Sequence, residues 1–110
     1  MSDHDIINNE FNTDKGISVS PLFPFDSITN IEVLCLTLAP SYQHTSEAHN
    51  IGTIEHILVI KGEMEYLVDN QWLPLQQNEV TKFNADKVHG YRNVSDQEAI
   101  FHNIIYYAKK

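Results

Sequence analysis

Hydrophobic and polar residues alternate in short runs along most of this chain, and turn-forming residues separate the runs. No long stretch has the 3.6-residue period of an amphipathic helix. The pattern predicts strands at residues 31–38, 54–60, 63–68, 71–75, 80–83, 88–93 and 99–107. Short strands at this spacing indicate an all-β fold of antiparallel strands, either a sandwich or a barrel.

The first third of the chain is less regular. We interpret residues 1–16 as a short, irregular polar leader and residues 17–110 as a single β-domain. Within that domain, residues 17–20 predict a short strand and residues 41–50 a polar loop. Two prolines then predict a loop whose apolar side chains pack over an open end of the core: Pro21, Leu22, Phe23, Pro24 and Phe25.

The net charge of the chain argues against some classes of binding partner. Seven basic and fifteen acidic residues give a net charge of −8, and no basic stripe is present. Because clustered lysines and arginines bind phosphate backbones, we expect no direct contact of this chain with nucleic acid. No apolar run is long enough to predict a membrane span or a signal peptide, and Cys35 is the only cysteine. We therefore expect a cytoplasmic protein that does not contact the membrane.

Two segments contain the candidate metal-ligating and binding residues. The first contains His49 and Glu55, followed by Gly62, and the second contains His89 and Asn93. In type and spacing these residues resemble the two motifs of the cupin superfamily. The resemblance implies a double-stranded β-helix, or jelly-roll barrel, with the motif residues meeting inside it.

A particular variant of that family is similar over residues 38–93. It is the small cupin that forms the sensor half of many bacterial helix-turn-helix regulators, with H-x-x-G-x-x-E followed by F-x-A-D-x-P-H-x-Y-x-N. The chain departs from the family pattern at three places. Ile51 replaces the second histidine of many metal-binding cupins, Asn78-Glu79 replaces a glycine-aspartate turn, and Val88 replaces a proline.

The resemblance implies that His49, Glu55 and His89 meet as two imidazoles and one carboxylate. This set suits iron, zinc, manganese or nickel, with positions left open for another ligand. A metal-free polar pocket is the alternative, and the sequence leaves both open. His102 on the last strand is a candidate fourth ligand, although a histidine there also fits an ordinary packed position.

Further residues are candidates for contact with a small molecule in the barrel. Tyr91 and Asn93 share the parity of His89 along the strand, so we expect all three to face one side. Tyr42 and His44 lie in the polar segment before His49, beside the expected mouth of the barrel. Structural roles at the barrel end or in a solvated loop are the alternatives.

Two functions of different classes follow from the resemblance. The first is the effector-sensing module of a transcriptional regulator, acting as a homodimer and without a DNA-binding domain in this chain. The second is a small metal-dependent enzyme of the dioxygenase, isomerase or decarboxylase type. The depleted ligand set favours binding over catalysis, because a sensor needs only a shaped pocket. A barrel that serves only subunit association is a third interpretation.

Overall fold

The computed structural model describes residues 16–108, which form nine strands and no helix. The strands are β1 (Ile17–Asp26), β2 (Ile31–Leu38), β3 (Gln43–Ser46), β4 (Ile54–Lys61), β5 (Glu63–Val68), β6 (Gln71–Gln76), β7 (Val80–Asn84), β8 (His89–Arg92) and β9 (Ala99–Tyr106). One sheet has the order β1-β2-β9-β4-β7 and the other β3-β8-β5-β6, with antiparallel pairs throughout. The predicted all-β barrel is confirmed.

Strict alternation in the central strands builds the core. Every second residue of β2 and β9 is buried, and β4 follows the same rule as far as Val59. Phe101 and Val59 are completely inaccessible, and each such apolar side chain contributes roughly 1.5–3 kcal/mol of burial free energy. Since successive side chains face opposite sides of a sheet, this alternation also decides which polar residues point into the barrel.

Two turns have the backbone geometry that their residues predict. Asp69 and Asn70 both have positive φ, 52° and 63°, as the two-residue turn between β5 and β6 requires. Asn78 has a φ of 71°, so it adopts the left-handed backbone that the related motif assigns to glycine. Asparagine tolerates this conformation better than most residues, which explains why the substitution keeps the turn.

Two segments differ from the prediction. The predicted loop 41–50 contains β3, which pairs with β8, because a polar strand at a sheet edge needs no apolar alternation. The predicted short strand at 17–20 continues through both prolines to Asp26. Its position at the edge of the five-stranded sheet tolerates residues without a backbone donor, and register shifts mark that part of the strand.

The apolar cluster around the prolines is also placed differently. Leu22 and Phe23 are 43% and 67% exposed, so the prediction that they cover the core is wrong. Phe25 does pack against the core and meets the ring of Tyr107 edge-on at 5.5 Å. The predicted leader lies outside the described residues, apart from Gly16. Within residues 16–108 there is no helix of the length and hydropathy that crossing a bilayer requires.

Candidate metal and ligand site

Three side chains from separate parts of the chain converge inside the barrel. Glu55 lies on the inward face of β4, His89 begins β8, and His49 lies in the connection between β3 and β4. One donor atom from each residue lies within 4.8 Å of the others. Glu55 and His89 are each 1% exposed, and the side chain of His49 is 10% exposed. The structure therefore brings together the three residues that the motif spacing singled out.

Backbone hydrogen bonds hold the His49 connection against the strand ends. The amide of His49 donates to the carbonyl of Ala85 at 2.8 Å, and the amide of Ala85 donates to the carbonyl of Thr53 at 2.8 Å. Residue 85 thus fixes both ends of the segment that leads into β4. Glu55 itself lies on a strand paired on both sides, by β7 and β9, so its backbone has little freedom.

The two oxygens of Glu55 have different partners. Oε1 accepts hydrogen bonds from the hydroxyl of Tyr91 and from Nδ2 of Asn103, the latter at 3.1 Å. Oε2 lies 3.0 Å from Nε2 of His89 and 3.4 Å from Nε2 of His49. One oxygen therefore fixes the carboxylate, while the other faces the two imidazoles.

The protonation of His89 can be assigned from its surroundings. Its Nδ1 lies 2.9 Å from the carbonyl of Lys87, and because a carbonyl only accepts, Nδ1 carries a proton. Nε2 is buried and has no aligned hydrogen-bond partner among the described residues, although Oε2 of Glu55 is close. Two metal-binding atoms that point at a common centre, rather than at each other, lie close together without forming an aligned hydrogen bond.

Burial and the neighbouring charges shift the pKa values of Glu55 and His89 in opposite directions. Burial alone would raise the pKa of Glu55, but contacts with His49, His89 and Tyr91 outweigh it and hold that pKa well below its usual range. Burial alone would lower the pKa of His89, yet the adjacent Glu55 carboxylate raises it above the ordinary value. Burial and the same carboxylate raise the pKa of Tyr91, so its hydroxyl stays a donor. The site thus keeps an anionic carboxylate at neutral pH.

Asn103 is a site residue that the sequence reasoning missed. It is 2% exposed on β9, and its Nδ2 contacts both Glu55 Oε1 and the Tyr91 hydroxyl at 3.1 Å. Its Oδ1 has no hydrogen-bond partner among the described residues. A signal was available, because Asn103 shares strand parity with Phe101 and Ile105 and is the polar member of that apolar row.

The candidate ligand residues before His49 occupy different places. His44 pairs with Tyr91 across β3 and β8, and the two rings are nearly parallel with centroids 6.2 Å apart. Its Nε2 also lies 3.1 Å from the hydroxyl of Ser46. Tyr42 packs against the core at the other end of this segment, over Gly16. His44 therefore stacks beside Tyr91, while Tyr42 contacts the core beside Gly16.

The polar atoms of Asn93 hold the connection between β8 and β9. Nδ2 donates to the carbonyls of Leu38 and Gln97 at 3.1 and 2.7 Å. Oδ1 accepts from the amide and the hydroxyl of Ser95 at 2.9 and 2.7 Å. These contacts give Asn93 a structural role, and contact with a bound molecule stays a prediction.

Replacing Asn93 with alanine should therefore act on stability. The Asn93→Ala variant removes the hydrogen bonds of Asn93 to the carbonyls of Leu38 and Gln97 and to the amide of Ser95, and we expect the free energy of unfolding to fall by about 2–3 kcal/mol. Urea denaturation measures this. A variant as stable as the wild type would contradict the role.

Two histidines on the central strands face away from the site. His56 follows Glu55 on β4, as predicted for the opposite face, and its Nδ1 lies 3.2 Å from the carbonyl of Ile104. His102 lies beside Cys35 and Leu58 on that same outward face, which agrees with an ordinary packed position and not with a fourth ligand. Ile51, at the position of the missing motif histidine, is 83% exposed.

Two antiparallel sheets closed around an interior histidine–carboxylate group are the architecture of a cupin. The family described as "Cupin domain" matches residues 35–105, and the chain belongs to that family. The match runs from the middle of β2 to the end of β9, so it includes all three converging residues.

The relatives with the higher identities are bacterial regulators. The chain is 35% identical over 95 residues to the HTH-type transcriptional regulator SutR of Escherichia coli K12, covering 86% of this chain and 53% of the relative. The crystallised cupin domain of an XRE family transcriptional regulator from Enterobacter cloacae is 37% identical, with a TM-score of 0.84 over 86% of this chain and all of that one. An HTH_3 family transcriptional regulator from Vibrio cholerae is 36% identical, with a TM-score of 0.85 over 97% of this chain and 61% of that one. The chain thus spans about half the length of the curated relative.

Proposed function

We propose that this chain is the effector-sensing domain of a cytoplasmic transcriptional regulator, and that its effector binds at a divalent metal held by His49, Glu55 and His89. Regulators of 35–37% identity whose matching part is this domain support the sensing role. The convergence of three donor atoms supports the metal. The observation that carries the proposal is the geometry of these atoms: the buried Nε2 of His89 lies 3.0 Å from Oε2 of Glu55 without an aligned hydrogen bond among the described residues.

The donor set fits such a metal on chemical grounds. Two imidazole nitrogens and one carboxylate oxygen suit iron(II), zinc, manganese or nickel. The bond from Nδ1 of His89 to the carbonyl of Lys87 leaves Nε2 as the ring nitrogen that faces Glu55, an arrangement typical of metal-bound histidines. The hydrogen bonds to Glu55 Oε1 keep Oε2 toward the histidines. A metal there would supply Lewis acidity and open positions for a small ligand.

The metal content of the purified protein tests this proposal directly. We expect untagged protein to carry close to one divalent metal per chain, and His89→Ala to carry less than about a tenth of that, because it removes a buried ligand. Elemental mass spectrometry measures both. The matched control is His56→Ala, which removes an outward histidine and should keep the metal. Metal-free protein after anaerobic reconstitution would contradict the proposal.

Binding can be separated from catalysis with a spectroscopic metal. We expect cobalt-substituted protein to change its visible absorption when azide is added, since three protein ligands leave positions open. An absorption spectrum that does not change when azide is added would contradict an effector site at the metal. Turnover of a small organic acid under oxygen by the iron-loaded protein would favour the enzyme interpretation instead.

A further inference from the structure

Among the described residues, three buried side-chain nitrogen or oxygen atoms make no hydrogen bond. They are Nε2 of His89, Oδ1 of Asn103 and Oγ1 of Thr53. Because proteins pair nearly all of their buried polar groups, an atom of this kind indicates a partner outside the chain, such as an ion, a water molecule or a bound ligand. The proposed metal accounts for Nε2 of His89, so two oxygens need another partner.

The two oxygens belong to residues at different depths in the barrel. Asn103 pairs with Ile57, two residues beyond Glu55 on β4, so it lies deeper than the three converging side chains. Thr53 lies two residues before Glu55, at the end of the barrel where the connection with His49 lies. That end is the open side of the site, because the side chain of His49 is 10% exposed while the other two are 1% exposed. A small molecule that reaches the site from this side therefore passes close to Thr53.

The side chain of Thr53 is directed into the barrel. Residues 53 and 55 are both buried and residue 54 is only half-buried, so Thr53 continues the inward row of β4. Its amide donates to the carbonyl of Asn50 at 3.1 Å, and its carbonyl accepts from the amide of Ala85 at 2.8 Å. The backbone of Thr53 is therefore paired on both sides, while its hydroxyl has no partner.

The register of β4 and β9 places Thr53 next to the site. Ile54 pairs with Tyr106, so the residues that come next on the two strands, Thr53 and Tyr107, also lie opposite each other. The ring of Tyr107 meets the ring of His49 edge-on, with centroids 6.4 Å apart. Thr53 thus lies at the rim of the proposed metal site.

The unpaired hydroxyl makes the ligand-free protein less stable than valine at the same position would. A buried hydroxyl that has left water without gaining a partner carries a desolvation cost, and a methyl group of the same shape does not. Proteins depart from the most stable local choice mainly at positions that serve function. A hydroxyl at position 53 is therefore explained if it is paired when a ligand is bound.

We propose that the Thr53 hydroxyl is a specificity-determining contact for the effector. The effector is then a short carboxylic acid that carries a hydroxyl or amino group on the carbon next to the carboxylate. This inference rests on the proposed function, because the carboxylate binds at the metal and the neighbouring group binds to Thr53.

Charge and distance together define this ligand class. A divalent metal held by two neutral imidazoles and the Glu55 carboxylate keeps one positive charge, which a monoanionic carboxylate neutralises. Adjacent inward positions of a strand lie ~6.8 Å apart, so the group that contacts Thr53 must be close to the metal-bound group. Since a hydroxyl both donates and accepts hydrogen bonds, Thr53 can pair with either substituent.

Two small acids that differ at one position test the contact in cobalt-substituted protein. Glycolate carries a hydroxyl on the carbon next to the carboxylate, and propionate carries a methyl group there. We expect the wild type to bind glycolate more tightly, and Thr53→Val to lower the ratio of the propionate Kd to the glycolate Kd by ~10-fold or more. Visible absorption titrations measure both constants. Chelation of the metal by the glycolate hydroxyl occurs in both proteins, so it cancels when their ratios are compared.

A second threonine supplies the matched control. Thr81→Val makes the same chemical change at a hydroxyl that donates to the hydroxyl of Tyr66 at 2.9 Å, so it should lower the Tm and leave the ratio unchanged. Thr53→Val should keep the metal content and a Tm at or above that of the wild type, because it removes a hydroxyl without a partner. This contrast separates recognition of a ligand from a structural role.

The outcomes distinguish this inference from the proposed metal site. An unchanged ratio in Thr53→Val, or an equal fall in Thr81→Val, overturns the role of Thr53 and leaves the metal site standing. Wild-type protein whose cobalt spectrum responds to azide but to neither acid does the same. Protein that binds no metal overturns both.

Discussion

Replacing Glu55 with glutamine should remove metal binding while leaving the fold almost unchanged. The substitution takes away the one negative charge among the three converging side chains. We expect metal affinity to fall at least ~100-fold, beyond the 10- to 100-fold losses that outer-shell changes cause. Competition with a fluorescent zinc chelator measures the affinity of zinc-loaded protein.

The stability of Glu55→Gln is expected to stay within about 1 kcal/mol of the wild type. The amide oxygen of glutamine can still accept from Tyr91 and Asn103, and its NH₂ group can donate to an imidazole nitrogen. Because the Glu55 carboxylate is what raises the pKa of His89, the glutamine variant lets that imidazole stay neutral, so no buried charge is left without a partner. The free energy of unfolding of metal-free protein, from urea denaturation, tests this.

Glu55→Ala is the matched contrast. It leaves the Tyr91 hydroxyl and the Asn103 amide without their acceptor and opens a cavity in a site that is 1% exposed. We expect a loss of about 3 kcal/mol or more. If the glutamine and alanine variants were equally destabilised, the carboxylate would be serving the fold. If the glutamine variant kept full zinc affinity, Glu55 would not be a ligand.

The grouping of His49, Glu55 and His89 could be predicted because motif spacing encodes it. The separation of Glu55 from Gly62 gives the length of β4 and its turn, and Gly62 has a φ of 78° there. A Cβ at that position would lie 2.6 Å from the carbonyl oxygen of Glu98, so glycine is required. Spacing of this kind constrains strand length and side-chain parity, and these two quantities place a residue inside or outside the barrel.

Other features depend on tertiary position, which local pattern does not contain. β3 has no apolar alternation because it is an edge strand, and its pairing with β8 is visible only in the sheet. The exposure of Phe23 follows from the register shifts of β1 around its prolines. His102 could have been assigned to the outward face by its parity against Phe101, because the alternation of β9 is unbroken.

Asn103 lies outside both sequence motifs. Both motifs end before β9, so nothing in them points to the last strand. Its polar side chain within an apolar row is the sequence signal, and its contacts explain the role: Asn103 and Tyr91 together fix the oxygen of Glu55 that does not face the histidines. We infer that Asn103 is a positioning residue for the proposed metal ligand.

Replacing Asn103 with leucine, of similar volume, should weaken metal binding while all three ligands remain. The variant removes one of the two donors to Glu55 Oε1, so the carboxylate loses part of its orientation. We expect zinc affinity to fall about 10- to 100-fold, as for other outer-shell partners of metal ligands. The metal-free protein should be close to wild-type stability, because the orphaned Oδ1 disappears with the amide.

The readout that distinguishes positioning from a structural role is the cobalt spectrum at saturating metal. A changed absorption band in Asn103→Leu, with one cobalt still bound per chain, indicates altered ligand geometry rather than unfolding. His102→Ala, the neighbouring residue on the outward face of β9, is the control and should leave both affinity and spectrum unchanged. Wild-type zinc affinity in Asn103→Leu would show that Tyr91 alone orients the carboxylate. Equal losses of zinc affinity in Asn103→Leu and His102→Ala would mean that the effect comes from a change in β9 and not from the lost contact with Glu55.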